Sequence, residues 1–361
     1  MKRVTGQVRV VGAGLLGSSI GLALRALDVD VILHDSSKAT LTLAIDYGAG
    51  RRSHQSDEPL LIVVAVPPDE TADVVAAELA AFPTALVTDV ASVKAAILTE
   101  LQSTGADIAR YLGSHPMAGR ERGGPISARA DLFLGRPWVL CPHEGTTPQQ
   151  LRAVEDLALD LGAVIVEMTP IEHDRGVAVV SHVPQLVSSL LASRLSAASD
   201  TAVGLAGQGL RDTTRIASSN PDLWVQILAA NAAATGEVLR AYRDDLDALI
   251  AALDEPTAPG ARRAIAEALT KGNTGVARIP GKHGQAKHFS ALVVMVVDKP
   301  GELARLLTEI GELGVNMEDL RLEHSPGAQF GLAEIAVLPE VEKKLIAELE
   351  ARGWKIAGEQ A

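Results

Sequence analysis

Positive charge is scarce in this chain, cysteine is nearly absent, and no apolar run is long enough to cross a bilayer. Its 361 residues carry 33 Lys and Arg against 45 Asp and Glu, a formal net charge of −12. A general nucleic-acid surface needs clustered Lys and Arg and is excluded on that ground, so any anionic ligand must be caught by a few local cations. The single cysteine, Cys141, allows no intrachain disulfide framework and fits a reducing compartment; it reads as a packed core thiol. The longest apolar runs, Leu60 to Val66 and Ala291 to Val297, read as buried strands. Ahead of Val8-Arg9-Val10-Val11 there is no room for a charged and apolar leader. These absences lead us to expect a cytoplasmic protein without nucleic-acid or membrane partners.

What is present is an ordinary globular composition, 47% hydrophobic and 22% charged, at a length that favours two or three domains. Val8 to Val11, Val31 to His34, Leu60 to Val66, Ala85 to Thr88 and Trp138 to Cys141 are short apolar runs separated by helix-length segments. That alternation predicts an α/β Rossmann-type domain over 1–169 with a mostly parallel, doubly wound sheet. Over 170–272 the texture turns to Ala- and Leu-rich stretches at helical spacing, Val183 to Ala197, Leu223 to Asp254 and Ala261 to Leu269, predicting an all-α domain. Its apolar faces are too extensive for substrate binding alone and predict a homodimer. A Gly-rich, basic stretch over 273–288 reads as a linker. From 289 to 361, Phe289 to Val297, Gly301 to Leu313, Met317 to Glu323, Leu332 to Val337 and Val341 to Arg352 read as strand, helix, strand, strand, helix, most of a ferredoxin-like α+β module.

Gly12-Ala13-Gly14-Leu15-Leu16-Gly17 follows the first strand and opens a helix. Gly12 permits the tight turn, Gly14 lets the backbone approach a diphosphate, and Gly17 lets the helix pack on the sheet. The helix N-terminus, including the amides of Leu15 and Leu16, then faces the phosphates. Asp35, at the end of the second strand, would accept hydrogen bonds from ribose hydroxyls and repel a 2′-phosphate, so NAD is expected rather than NADP. Further along, Ser92 supplies a hydroxyl, His115 a base and Arg215 a carboxylate clamp. The set points to nicotinamide-dependent oxidation of a small anionic substrate, with no metal. Ser92 also falls where a strand ends and a helix over Val93 to Leu101 begins, so it doubles as an expected N-cap.

Several motifs occur in one order: Asp89-Val90-Ala91-Ser92-Val93-Lys94, Gly113-Ser114-His115-Pro116-Met117-Ala118-Gly119, Glu172-His173-Asp174, Ser181-His182-Val183-Pro184 and Arg211-Asp212-Thr213-Thr214-Arg215-Ile216-Ala217. Through these and the glycine fingerprint the chain resembles the TyrA family of prephenate and arogenate dehydrogenases over most of its length. The resemblance implies oxidative decarboxylation of a cyclohexadiene ring, with hydride passing to NAD and His115 removing the 4-hydroxyl proton. It implies that Ser92 contacts that hydroxyl, that Arg215 grips a substrate carboxylate, that Arg211 assists and that Trp224 forms an apolar wall. Glu121 matches a gating acid, and His182 a second histidine with a packing or substrate-binding role. Gln185 stands where the family pattern continues with another histidine, which leaves prephenate and arogenate both open as substrate.

From Phe289 onward the chain resembles an ACT domain, through Val297-Asp298-Lys299-Pro300-Gly301-Glu302-Leu303 and Gly314-Val315-Asn316-Met317. This implies an amino-acid effector, tyrosine first and phenylalanine second, with a purely structural appendage as the competing reading. Other functional classes are a β-hydroxyacid dehydrogenase, which would want a catalytic lysine on a helix, and a non-catalytic amino-acid or nucleotide sensor. The set Ser92, His115 and Arg215 weighs against both.

Overall fold

The structure, a computed structural model, describes residues 2–119, 123–279, 289–323 and 330–357. The chain divides into two compact units, one of residues 1–198 with 214–242 and one of 199–213 with 243–361.

In the first unit, β-branched and aliphatic runs with no polar interruption become strands covered on both faces. They are β1 (Gln7–Val11), β2 (Asp30–His34), β3 (Arg51–Arg52), β4 (Pro59–Val64), β5 (Leu86–Asp89), β6 (Tyr111–Pro116), β7 (Pro137–Cys141) and β8 (Val164–Glu167). Their order is β3-β2-β1-β4-β5-β6-β7-β8. Every neighbouring pair is parallel except β6 and β7. Helices α1 (Leu15–Ala26), α2 (Lys38–Asp46), α3 (Pro68–Ala81), α4 (Ala95–Ser103) and α5 (Pro148–Asp160) complete the doubly wound fold. One core packs Val8, Val10, Leu33, Val63 and Trp138; the other packs Val11, Val64, Val75, Val87 and Ile97. Cys141 is buried in the sheet as expected.

Strands β3, β6 and β8 were not expected. Tyr111-Leu112-Gly113-Ser114-His115-Pro116 carries too little β-branching to announce a strand, yet it pairs with β5 on one side and β7 on the other. His115 therefore stands on a strand and not in a loop. The helix after β5 begins at Ala95, with Lys94 as its N-cap and no side-chain cap of its own. Ser92 is thus not the cap, because a carboxylate on the helix that follows β8 takes that role.

Thr169-Pro170-Ile171-Glu172 forms a capping box: the Thr169 hydroxyl accepts from Glu172 N, and the Glu172 carboxylate accepts from Thr169 N. It launches α6 (Pro170–Val177), which passes through a π turn at Ala178–His182 into α7 (Val183–Leu195). Pro184 explains the wide turn, because it has no N–H for the carbonyl one turn back and its ring would crowd a regular helix. By length and composition alone this 26-residue helix could cross a membrane. Its His173, Asp174, His182 and Gln185 are nevertheless buried and hydrogen-bonded within the first unit, as in the core helix of a folded domain.

Two short helices follow, α8 (Asp200–Val203) and α9 (Gln208–Thr214), then a 3-10 turn at Arg215–Ser218 and α10 (Pro221–Ala230). The long helix expected over Leu223 to Asp254 is broken at Asn231, after which α11 (Ala232–Asp254) resumes. Next, α12 (Ala261–Val276) runs into the segment expected as linker, its threonines bonding back to carbonyls four residues earlier. The rest of that linker, 280–288, lies outside the described residues.

The C-terminal part of the second unit is β9 (Ser290–Val297), α13 (Glu302–Glu312), β10 (Asp319–Glu323), β11 (Phe330–Val337), α14 (Pro339–Ala351) and β12 (Lys355–Ala357). Its antiparallel sheet has the order β10-β11-β9-β12, so the split β-α-β expectation holds and gains a fourth strand. Alternation in β9 and β11 buries Leu292, Val294, Val296, Ala333, Ile335 and Val337 against Leu306, Ile310, Leu345 and Leu349.

Two outcomes follow from these packings. A Cβ on Gly17 would lie 1.9 Å from the Gly12 carbonyl oxygen, so Gly17→Ala should lower the urea midpoint, by about 1–3 kcal/mol of strain and overpacking. The Cys141 thiol is pushed by burial up to about 12. It should therefore resist a thiol reagent at pH 8 in the folded protein and react once urea unfolds it.

Candidate active site

At the carboxyl end of β1 the chain turns on Gly12, whose φ of +97° is open to glycine and strained for other residues. A Cβ there would meet the Ala65 carbonyl oxygen at 2.3 Å, whereas one on Gly14 would meet nothing within 4 Å. Gly14 caps α1 without any side-chain bond to the first-turn amides. Free space and free N–H groups together suit a diphosphate. Asp35 is fixed beside this turn, one oxygen accepting from Ala13 N at 2.7 Å and the other from Ser37 N at 2.8 Å. Ser37 is occupied as the N-cap of α2. Leu16 packs partly on the core, leaving backbone as the ligand-facing part of the turn. The residues present fit a dinucleotide with free ribose hydroxyls.

Beyond the sheet's centre lies a buried polar network that sequence reasoning missed. Asp89, fully buried, pairs with the ammonium of Lys94, itself 1% exposed. Asp89 also accepts from the Tyr111 hydroxyl at 2.7 Å and Ala91 N at 2.9 Å. Lys94 Nζ donates to the Ser114 carbonyl at 2.8 Å, and the Ser114 hydroxyl donates to the Asp89 carbonyl at 2.8 Å. Burial and then the Asp89 charge push the Tyr111 hydroxyl well above its usual range. The signal was available in Asp89 and Lys94 of one motif, since two opposite charges five residues apart at a strand-to-helix junction can be buried only as a pair.

On this base stands His115. Its Nδ1 lies 2.8 Å from His173 Nε2, and His173 Nδ1 lies 2.8 Å from Asp174 Oδ1. The two rings meet edge to face at 77°. Asp174 also accepts from Lys94 N and Ala95 N, both at 2.9 Å. A carboxylate from α6 therefore supplies the capping acceptor at the start of α4, the duty expected of Ser92. The Ser92 hydroxyl makes no hydrogen bond with another described residue and is half-buried. His115 Nε2 likewise has no described partner. Burial, reinforced by His173, Lys94 and His182, lowers the His115 pKa well below the usual imidazole value. The ring is a neutral base at physiological pH.

Asn231, where the long helix breaks, donates its amide to the Asp174 carbonyl at 2.7 Å and meets His182 Nδ1 at 3.1 Å. A carbonyl can only accept, so the Asn231 group is its NH2, which makes His182 Nδ1 an acceptor and places the His182 proton on Nε2. Burial lowers the His182 pKa, an effect partly opposed by Asp174. Trp224 on α10 meets His182 edge to face at 6.1 Å. Gln185 bonds Ser189 through its NH2 and accepts from the Ser219 hydroxyl. It thereby ties α7 to the turn bearing Arg215, and both ends of its amide are taken by protein. Arg215 is exposed, its carbonyl accepting from the Ser218 hydroxyl at 3.2 Å, and its guanidinium has no ion pair or hydrogen bond with another described residue.

Ser92, His115, His182, Gln185, Trp224 and Arg215 thus all lie in the first unit with the glycine turn, whereas Arg211, on α9, belongs to the second. Glu121 lies outside the described residues. Among the described residues no group of three His, Cys, Asp or Glu could hold a metal ion.

Comparison with known proteins gives two family matches: "Prephenate dehydrogenase, nucleotide-binding domain" over residues 20–167 and "Prephenate dehydrogenase, dimerization domain" over 169–267. A probable prephenate dehydrogenase, NovF, of Streptomyces niveus is 35% identical over 96% of this chain and 98% of its own length. Among solved structures, the Synechocystis arogenate dehydrogenase is 30% identical, with TM-score 0.62, over 74% of this chain and 99% of that one. A prephenate dehydrogenase of A. aeolicus, solved with hydroxyphenyl propionate and NAD+, is 24% identical with TM-score 0.66, covering 76% and 100%; it shows the shared fold.

Removing the Asn231 amide should loosen this arrangement. Asn231→Ala leaves the buried His182 ring and the Asp174 carbonyl short of a donor, and should lower stability by about 1–3 kcal/mol. Urea unfolding of the two proteins side by side measures it.

Proposed function

This chain belongs to the prephenate dehydrogenase family, and on that premise we propose the site roles, substrate handling and regulation set out here. It is an NAD-dependent oxidoreductase that converts prephenate to 4-hydroxyphenylpyruvate and carbon dioxide, a step of tyrosine biosynthesis. The single observation that carries the assignment of roles is His115: neutral, half-buried, one ring nitrogen engaged by His173 and the other without a partner among the described residues.

When bound, NAD accepts the hydride that leaves C4 of the substrate ring. His115 Nε2 takes the proton of the 4-hydroxyl, and the electrons of the departing ring carboxylate restore aromaticity. Ser92, with a hydroxyl that caps no helix among the described residues, contacts that 4-hydroxyl. Arg215, whose guanidinium has no partner among the described residues, is the carboxylate clamp, with Trp224 as apolar wall and Arg211 and Glu121 as further substrate residues. His182 serves as a neutral donor through Nε2. Gly12, Gly14, Gly17 and the amides of Leu15 and Leu16 hold the diphosphate, and Asp35 the adenosine ribose. Gln185 acts by holding the Arg215 turn. Arogenate is the alternative substrate, favoured by the likeness to the Synechocystis enzyme.

The protein assembles as a homodimer through its helical domain, 170–272, where Val179, Val180, Leu190 and Val225 are exposed apolar residues. The module over 289–361 acts as an ACT domain binding tyrosine, with Gly301 at φ +94° opening α13. A cytoplasmic location suits the buried single thiol.

The test is NADH formation with prephenate and with arogenate in parallel, each with NADP in place of NAD and with added tyrosine. Turnover of prephenate is expected, and no turnover of either substrate would remove the proposal. His115→Asn should lower kcat by about 10²–10⁴ with dinucleotide affinity kept, and Arg215→Ala should chiefly raise KM. Because the His115 pKa is lowered, its base form persists as pH falls through 6.5. The acid limb of kcat/KM should therefore lie below pH 6.5, and a limb above 7 would contradict the neutral-base assignment.

A further inference from the structure

We infer that His173 and Asp174 are positioning residues that fix the tautomer of His115, leaving its Nε2 bare and turned to the reaction. This deepens the reading above and rests on His115 being the base.

The argument runs inward from Asp174. Its carboxylate receives the backbone N–H groups of Lys94 and Ala95, which commits it as an acceptor. The third contact, His173 Nδ1 at 2.8 Å, must then be an N–H that donates. A neutral imidazole with its proton on Nδ1 presents a lone pair at Nε2. That lone pair lies 2.8 Å from His115 Nδ1, and two ring nitrogens at this distance share one proton. The proton belongs to His115 Nδ1, so the His115 lone pair is at Nε2. Reversing any link breaks another: a proton on His115 Nε2 alone would leave two lone pairs facing each other at His115 Nδ1 and His173 Nε2.

The arrangement does the work that a carboxylate does behind a catalytic imidazole elsewhere, with one neutral ring interposed. When His115 takes the substrate proton at Nε2, its Nδ1–H bond to the Asp174-backed ring strengthens, which stabilises the cation without moving a second proton. The titratable groups around the chain are Lys94 and Asp89 before α4, His182 in the π turn, Tyr111 on β6 and Cys141 on β7. Lys94 and His182 oppose a further positive charge. A proton taken up at His115 Nε2 at low pH removes the lone pair that the reaction needs.

The direct readout does not depend on turnover: 15N-histidine NMR of the full chain with NAD, His115 being assigned by the signal lost in His115→Asn. A proton on Nδ1 and a bare Nε2 are expected, and the opposite tautomer would overturn the inference. In kinetics, His173→Phe keeps the ring volume but has no acceptor. It should lower kcat about 10- to 100-fold and leave KM within about threefold. His173→Gln offers an amide oxygen to His115 Nδ1 and should recover part of kcat. Unchanged kcat in the Phe variant, or a Gln variant no better than Phe, would overturn the inference. Should the Phe variant not fold, the Gln variant and the tautomer decide.

Discussion

The Asp174 carboxylate is the constraint on which the site depends. A charge buried to 5% exposure must be fully hydrogen-bonded, because an unsatisfied buried carboxylate is costly. Here the bonds that satisfy it also fix the geometry: two amides at the start of α4 and one imidazole on its own helix. The backbone carbonyl of the same residue takes the Asn231 amide. One residue thus sets where α4 begins, how His173 is turned, and where the helical layer breaks. It leaves Ser92 free of the capping duty that its position in the sequence invited.

Beside it lies a second buried charge pair, Asp89 with Lys94. Removing either partner would leave the other uncompensated in the interior, so the pair is retained as a unit. Its position is informative, since Lys94 reaches the carbonyl of Ser114, the residue before the base, and its charge discourages protonation of His115. The ammonium therefore holds the strand that carries the base and adds to the burial that keeps that base neutral. Exposed Arg215 is the complementary case, a cation left unpaired where an anionic group can reach it.

Much of this was legible in the sequence. The glycine fingerprint predicted its own turn, because positive φ at Gly12 and the close approach at Gly17 are local demands on backbone. Apolar runs predicted five strands of the nucleotide-binding sheet. The strand bearing His115 was hidden, because Gly113, Ser114 and Pro116 are poor strand formers and the segment is held by neighbours distant in sequence. Asn231 was hidden inside an otherwise helical pattern. The link from His115 to His173 spans 58 residues, and no periodicity reports a contact that the fold alone creates. Gln185 was read as a substrate-facing residue because of the residue type it replaces, whereas packing turns both ends of its amide to protein.

The π turn at Ala178–His182 has a consequence for how this helix tolerates change. One residue more than a regular turn rotates everything downstream by about 100° about the axis. His182 and Gln185 owe their inward direction to that rotation, while Asp174 and His173 lie before it. Were this turn to relax to regular α geometry with its residue count unchanged, hydrophobicity and length would stay nearly unaltered, yet the second half of the helix would swing out of phase with the first. The helix behaves as two keys cut on one shaft, and the width of the turn between them sets their relative angle.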